Sequence, residues 1–157
     1  MDTNDWPERR RYAARLWLLL LLFILRVAGQ MLVVFGRVSF LPPLEQWQSG
    51  LVPYRWLLAM QGVVIILLSK VSLDFTTGRG WFAGPRALFG GPVLTLGYLY
   101  FVAMCVRYVL RMRWRRDQRW LGGIIPIVFH LVLAMYVITF GRYHRACLRA
   151  RGAQGRS

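Results

Sequence analysis

Residues 16–36 read LWLLLLLFILRVAGQMLVVFG, and Arg26, the eleventh of these twenty-one residues, is the only charge among them. An apolar run of about 18 residues or more crosses a hydrocarbon core of about 30 Å at about 1.5 Å per residue, so this run reads as a transmembrane helix. Three further runs follow, at 54–73, 88–110 and 121–140. The second is the shortest in strictly apolar terms, 56–69, and it spans only with Arg55 and Lys70 at its ends, reaching into the headgroups. A basic start and Val27-Ala28-Gly29 give the first run some likeness to a cleavable leader. Its apolar stretch continues to Gly36, however, which predicts an anchor that stays.

Composition agrees with the runs. The chain is 57% hydrophobic and 17% charged, against about 25% charged in a soluble domain. The expected architecture is all-α: a polytopic membrane protein with a four-transmembrane-helix bundle over 16–143. A basic tail at 1–15 and a basic, disordered tail at 144–157 flank it. The net charge of +15 would point to nucleic acid in a soluble protein. Here the cations sit at the ends of the apolar runs, which predicts contact with anionic headgroups at about 1 kcal/mol per cation and no nucleic-acid partner. Cys105 and Cys147 form no CxxC motif, so thiol and metal chemistry find no support.

Orientation follows from the same cations. With the N-terminus inside, twelve of the 21 Lys and Arg face the cytoplasm and eight face outward, Arg26 being left aside. The positive-inside tendency therefore favours both termini in the cytoplasm of a bacterial inner membrane. RMRWRRDQRW, residues 111–120, sits on the unfavoured side. A re-entrant fourth segment would repair that. Within this region Arg107, Arg111 and Arg115, with Trp114 and Trp120, read as an interfacial anchor or as a docking face for an acidic partner subunit.

The loop SFLPPLEQWQSGLVPYRW, 39–56, is unlike a polar connection. Pro42 or Pro43 can open a short helix and Ser49-Gly50 can end it, which predicts an interfacial helix over 44–50. The loop DFTTGRGWFAGPRALFGG, 74–91, matches neither GxxxxGK[ST] nor GxGxxG and reads as a turn with lipid-facing Trp81-Phe82. Gly90-Gly91-Pro92 and Gly122-Gly123 mark the starts of the third and fourth helices, where backbones can approach closely.

Intramembrane polar residues carry what functional signal there is. A charge at the bilayer centre costs about 2.5–3.5 kcal/mol on insertion scales, so it faces the bundle interior and finds polar company. Arg26, Gln30, Val33 and Arg37 fall on one helical face, and Gln61 and His130 lie near mid-span of two other helices. Asp74 is most simply paired with Lys70 at i, i+4, which leaves Glu45 best placed to answer Arg26 or Arg37. Two readings follow. The plainer is an interhelical hydrogen-bond network, worth about 0.6 kcal/mol per bond. The sharper is a polar pocket opening to the outer leaflet, lined by Arg26, Gln30, Gln61 and His130 under a lid carrying Glu45 and Trp47. It would take a lipid, quinone or isoprenoid.

His130 is also a candidate axial ligand for haem or chlorophyll, although the sequence requires no cofactor. His130 and His144 stand fourteen residues apart, about 21 Å along one helix, so they cannot grip one iron. His144, in YHRACLRAR, reads as a solvated interfacial residue. No carboxylate pair, Ser-His-Asp set or HExxH supports a hydrolase.

LPPLEQWQSGLVPY, GYLYFVAMCVRYVLRMR and GGIIPIVFH together resemble a family of small, uncharacterised bacterial membrane proteins, over most of 26–144. The resemblance implies a four-span bacterial architecture and attaches no activity. The expected function is an accessory or assembly protein, a subunit of a larger membrane complex. The alternatives are a tetrapyrrole-binding oxidoreductase or photosynthetic subunit using His130, and a small oligomeric transporter.

Overall fold

A computed structural model describes residues 6–36, 54–114 and 124–154. Within them run four helices, α1 (Trp6–Gly36), α2 (Tyr54–Thr77), α3 (Leu94–Trp114) and α4 (Ile124–Gln154), with a π-helical turn, Phe89–Val93, leading into α3. All four helices are long and apolar enough to span a membrane. The fold is an all-α four-helix bundle.

Helix spacing explains the packing. On α1 the buried side chains are Arg9, Ala13, Leu16, Leu20, Phe23, Val27 and Gln30, with Arg26 beside them. Those seven alternate steps of four and three, the heptad spacing that lets antiparallel neighbours interdigitate. Gln61, Leu68 and Phe75 repeat the seven-residue step on α2. The densest core lies at the end of the bundle that holds the start of α1, the end of α2 and the last turns of α4. Leu16, Leu20, Val71, Phe75, Phe140 and Tyr143 meet there. Between α2 and α4, Tyr136 donates its hydroxyl proton to the Leu68 carbonyl at 2.7 Å. That proton being used, Ser72 must donate to the Tyr136 oxygen, 2.9 Å away.

Two helices outrun the hydrocarbon. The exposed Trp17 donates Nε1–H to Thr76 Oγ1 at 2.9 Å, fixing a common level on α1 and α2. Trp56, also exposed, lies twenty residues before Thr76, about 30 Å along α2 and hence one hydrocarbon thickness. Exposed tryptophans at both levels match the interfacial belts of spanning proteins. Helix α1 therefore extends about 15 Å beyond the Trp17 level, and the last turns of α4 accompany it, Tyr12 and Tyr143 meeting edge to face at 5.4 Å.

This revises the sequence reading at both tails. Residues 6–15 are helical, and α4 runs on through 144–154 where disorder was expected. Hydropathy marks where hydrocarbon ends. Helices continue past it because arginine and alanine are good helix formers. His144 is a second correction: it is fully buried. Phe140, Phe89, Tyr143 and Phe75 surround it with ring centroids 4.5, 5.0, 5.4 and 5.9 Å away. The link after α2 closes over this cluster, its Arg86 amide donating to His144 Nδ1 at 3.4 Å.

That link is a tight turn in which Gly78 and Gly80 take φ of +70° and +110°, values that L side chains rarely adopt. Asp74, buried, accepts from Lys70 as the i, i+4 spacing predicted, and also from the Phe82 amide at 3.2 Å. Arg86 stacks over Trp81 at 4.5 Å.

Helix α3 is peripheral. It packs on α4, whereas α1 contacts both α2 and α4. Only 11% of the α3 span is buried, against 39% for α4. Close backbone approach holds it: a Cβ on Gly141 would stand 2.8 Å from Leu94 Cβ and 2.9 Å from its Cα. Gly90, at the start of the π turn, similarly faces the α4 backbone at Arg145. The π turn also accommodates Pro92, which has no amide proton to give a regular helix.

Candidate functional site

Arg26 and Gln30 leave the inner face of α1 where the heptad stripe turns from aliphatic to polar. Arg26 is 8% exposed, Gln30 fully buried and Gln61 6% exposed. Arg26 stands nine residues from Trp17, about 14 Å into a core of about 30 Å, hence near its middle. The guanidinium carbon lies 5.6 Å from the Phe129 ring of α4, a distance at which a cation is attracted to a ring face. Beside it, Gln61 Nε2 of α2 donates to Gln30 Oε1 of α1 at 3.2 Å. Gln61 Oε1 accepts no hydrogen bond and Gln30 Nε2 donates none among the described residues, and both atoms are buried.

A cavity of about 230 Å³ opens between α1, α2 and α4. Its polar lining is Arg26, Gln61 and His130; Phe23, Leu57, Met60, Val64, Phe129 and Leu133 supply most of the apolar wall. It reaches from buried Arg26 to Met60, which is 64% exposed on the outer side of α2. The opening is therefore lateral, toward lipid.

His130 sits at the rim of this cavity and is exposed. Its Nδ1 lies 2.5 Å from the Tyr100 hydroxyl of α3, the two rings meeting edge to face at 6.0 Å. Arg26 and Arg107 are both within electrostatic reach of the imidazole. All four helices thus contribute to one polar region in the half of the bundle away from the aromatic core.

The sequence-predicted residues divide into three groups. Arg26, Gln61 and His130 come together around the cavity, while Gln30 stands behind it as the partner of Gln61. Arg37, Glu45, Trp47, Arg115, Trp120 and the proposed 44–50 helix lie outside the described residues. Arg107 and Arg111 occupy the last turns of α3, which Trp114 ends; Arg107 is exposed and Arg111 half-buried.

Tyr100 was missed. Helix α3 is apolar nearly all round, so nothing in its periodicity says which side meets α4. Close glycine contacts, Gly97 against Ile138 and Gly141 against Leu94, set its rotation. Phe129 was missed for a related reason, since an aromatic residue in an apolar span carries no signal of the cation it faces.

Among the described residues no three of His, Cys, Asp and Glu converge on a common point. Cys105 and Cys147 are both unbridged and half-buried, Cys147 packing against the aromatic core. No family model matches the sequence, and no curated protein or solved structure matches it either.

Proposed function

We propose that this chain is a membrane accessory protein that holds an amphiphile between α1, α2 and α4 and presents it within a larger membrane complex. The observation that carries this reading is the laterally open cavity near the bilayer middle, apolar along its walls and ending on Arg26 and Gln61. Ligand sites have that construction, a mostly apolar concavity with a few convergent polar groups. An intramembrane arginine facing the protein interior is a functional-site hypothesis by default. A lipid, quinone or isoprenoid fits the combination: the apolar walls take its tail and the guanidinium takes an oxygen of its head.

The membrane in this reading is a bacterial inner membrane with both termini cytoplasmic, as the twelve-to-eight distribution of cations favours. The basic ends of α1 and α4 then lie among cytoplasmic anionic headgroups. The exposed outer face of α3 is left for a neighbouring subunit.

The test is native mass spectrometry of the protein released from its own membrane in mild detergent. A retained amphiphile that is lost from Arg26→Leu and from a cavity-filling Leu57→Trp supports the reading. Wild-type protein carrying no more lipid than these variants refutes it. An absorption spectrum of the same sample distinguishes a tetrapyrrole subunit, which would show a porphyrin band.

A further inference from the structure

The sequence leaves Arg107 two roles, an anchor at the membrane surface or a cation that docks a partner, and its depth decides between them. Gly141 lies against Leu94. On either side of Gly141, Phe140 and His144 meet the Phe75 ring, and Phe75 adjoins Thr76. Helix α3 therefore leaves the Trp17–Thr76 level at about Leu94. Arg107, thirteen residues on, stands about 20 Å into a core of about 30 Å. Arg111 and Arg113 come within about 5 Å and 2 Å of the opposite face, close enough for a long side chain to reach the headgroups. Arg107 remains about 10 Å inside that face, and it is exposed.

A guanidinium at such a depth costs about 2.5–3.5 kcal/mol on insertion scales, and residues of this kind ordinarily turn inward and find a partner. Arg107 makes no ion pair among the described residues. The two acids described are remote from it: Glu8 lies in the first turn of α1, and Asp74, near the end of α2, is held by Lys70. Both stand at the opposite end of the bundle. Closer to Arg107 are Tyr100 and His130, both within its electrostatic reach. With Tyr100 donating to His130 Nδ1, the imidazole keeps its own proton on Nε2 and is a donor there.

We propose that α3 docks a transmembrane helix of another subunit, one that carries an aspartate or glutamate at the depth of Arg107. This rests on the reading above that the outer side of α3 meets a neighbouring subunit, and it names that neighbour's chemistry. Leu96, Tyr100, Ala103, Arg107 and Leu110 alternate steps of four and three, the heptad spacing by which α1 also packs. None of the five is buried. Ala103, one turn from Arg107, lets a partner backbone approach, and a guanidinium holds a carboxylate through two parallel N–H···O bonds. The described spans of a second copy do not supply the acid, since Glu8 and Asp74 lie at the wrong level. A lipid phosphate resides in the headgroup layer and reaches Arg107 only by thinning the bilayer.

The experiment uses the full chain in phosphatidylcholine vesicles with a synthetic peptide. The peptide has about 20 leucines and alanines between lysine flanks, with one aspartate about seven residues from an end, the depth of Arg107. Peptides with asparagine or leucine at that position are the controls. Association is read by energy transfer from a donor on the C-terminus of the chain to an acceptor on the peptide. The aspartate peptide is expected to bind about tenfold more tightly than the leucine peptide, and more tightly than the asparagine peptide. Arg107→Gln should remove the preference, whereas Arg107→Lys should retain most of it. Both variants are expected to fold because Arg107 is exposed, and circular dichroism checks this.

Equal binding of the three peptides to the wild-type chain overturns the proposal, as does an aspartate preference that survives Arg107→Gln. Replacing part of the phosphatidylcholine by phosphatidylglycerol should leave the preference intact. Its loss would make a lipid phosphate the occupant and overturn the helix assignment. Energy transfer between two labelled copies of the chain that vanishes in Arg107→Gln would make a second copy the occupant, with the same consequence. Retention of an amphiphile does not enter this assay, so the pocket reading stands or falls separately.

Discussion

Adding a single methyl group at Gly141 separates the packing described above from a looser association of α3. A Cβ there would stand 2.8 Å from Leu94 Cβ and 2.9 Å from Leu94 Cα, about 1 Å inside ordinary carbon–carbon contact. Leu94 Cα is backbone, so relief requires the first turn of α3 to move. Overpacking of this kind costs about 1–3 kcal/mol, and a rigid neighbour places it at the upper end. Replacing glycine by alanine inside a helix gains about 1 kcal/mol, so Gly141→Ala should lose about 2 kcal/mol net. Gly97 is intermediate: its Cβ would meet Ile138 Cγ1 at 3.0 Å and Val137 Cγ1 at 3.1 Å. A third contact, at 3.2 Å, is the Ile138 backbone nitrogen, and the two carbons belong to stiff β-branched side chains, so Gly97→Ala should lose up to about 1 kcal/mol. Gly62 has nothing within 4 Å, and Gly62→Ala should stabilise by about 1 kcal/mol. The ladder thus spans about 3 kcal/mol, more than a hundredfold in the unfolding equilibrium. Reversible SDS titration in mixed micelles, followed by circular dichroism, measures it. If Gly141→Ala unfolds at the same SDS fraction as Gly62→Ala, the close approach of α3 to α4 is refuted.

Other perturbations probe separate parts of the structure. Arg26→Ala should destabilise by about 1–2 kcal/mol through loss of its ring contact and packed stem, whereas Arg55→Ala, exposed at the start of α2, should stay within about 0.5 kcal/mol; the same titration checks both. Tyr136→Phe strips the hydroxyl that bridges Leu68 and Ser72 and should cost about 1–2 kcal/mol. A double-mutant cycle with Ser72→Ala should return a coupling of at least about 0.5 kcal/mol, and strict additivity would deny the bond. His144→Ala empties a site ringed by four aromatic side chains and should cost about 2–4 kcal/mol as a cavity. Thermal unfolding in detergent that barely shifts would mean the ring is not packed as described.

How much of this was legible beforehand depends on the distance over which each feature is encoded. The four spans are local: each run of apolar residues declares itself against the cost of exposed backbone in hydrocarbon, with no knowledge of its neighbours. The inward face of α1 was legible for the same reason, because Arg26 and Gln30 share it at i, i+4 and lipid is costly for both. The Lys70–Asp74 pair was likewise one helical turn. Helix ends were not legible, since solvation and helicity stop at different places: Arg145, Arg149 and Arg151 leave the hydrocarbon and remain in α4. His144 looked solvated from its basic neighbours in sequence. Its burial is set by Phe75 and Phe89, which no window around His144 contains. The pairing of Tyr100 with His130 required the rotation of α3, and that is recorded in glycines whose meaning appears only when two helices are brought together.

The peripheral place of α3 also constrains how the protein is made. As the chain leaves the ribosome, α1 and α2 can associate at once, for they are antiparallel neighbours in the finished bundle. Helix α3 emerges next; among the described residues it packs on α4, which is not yet synthesised. It must therefore wait in lipid as a solitary span, which its sparse polarity permits, until the last segment arrives and gathers both halves. Truncation before α4 should accordingly release a chain whose first hairpin is formed and whose third span is available to membrane quality control.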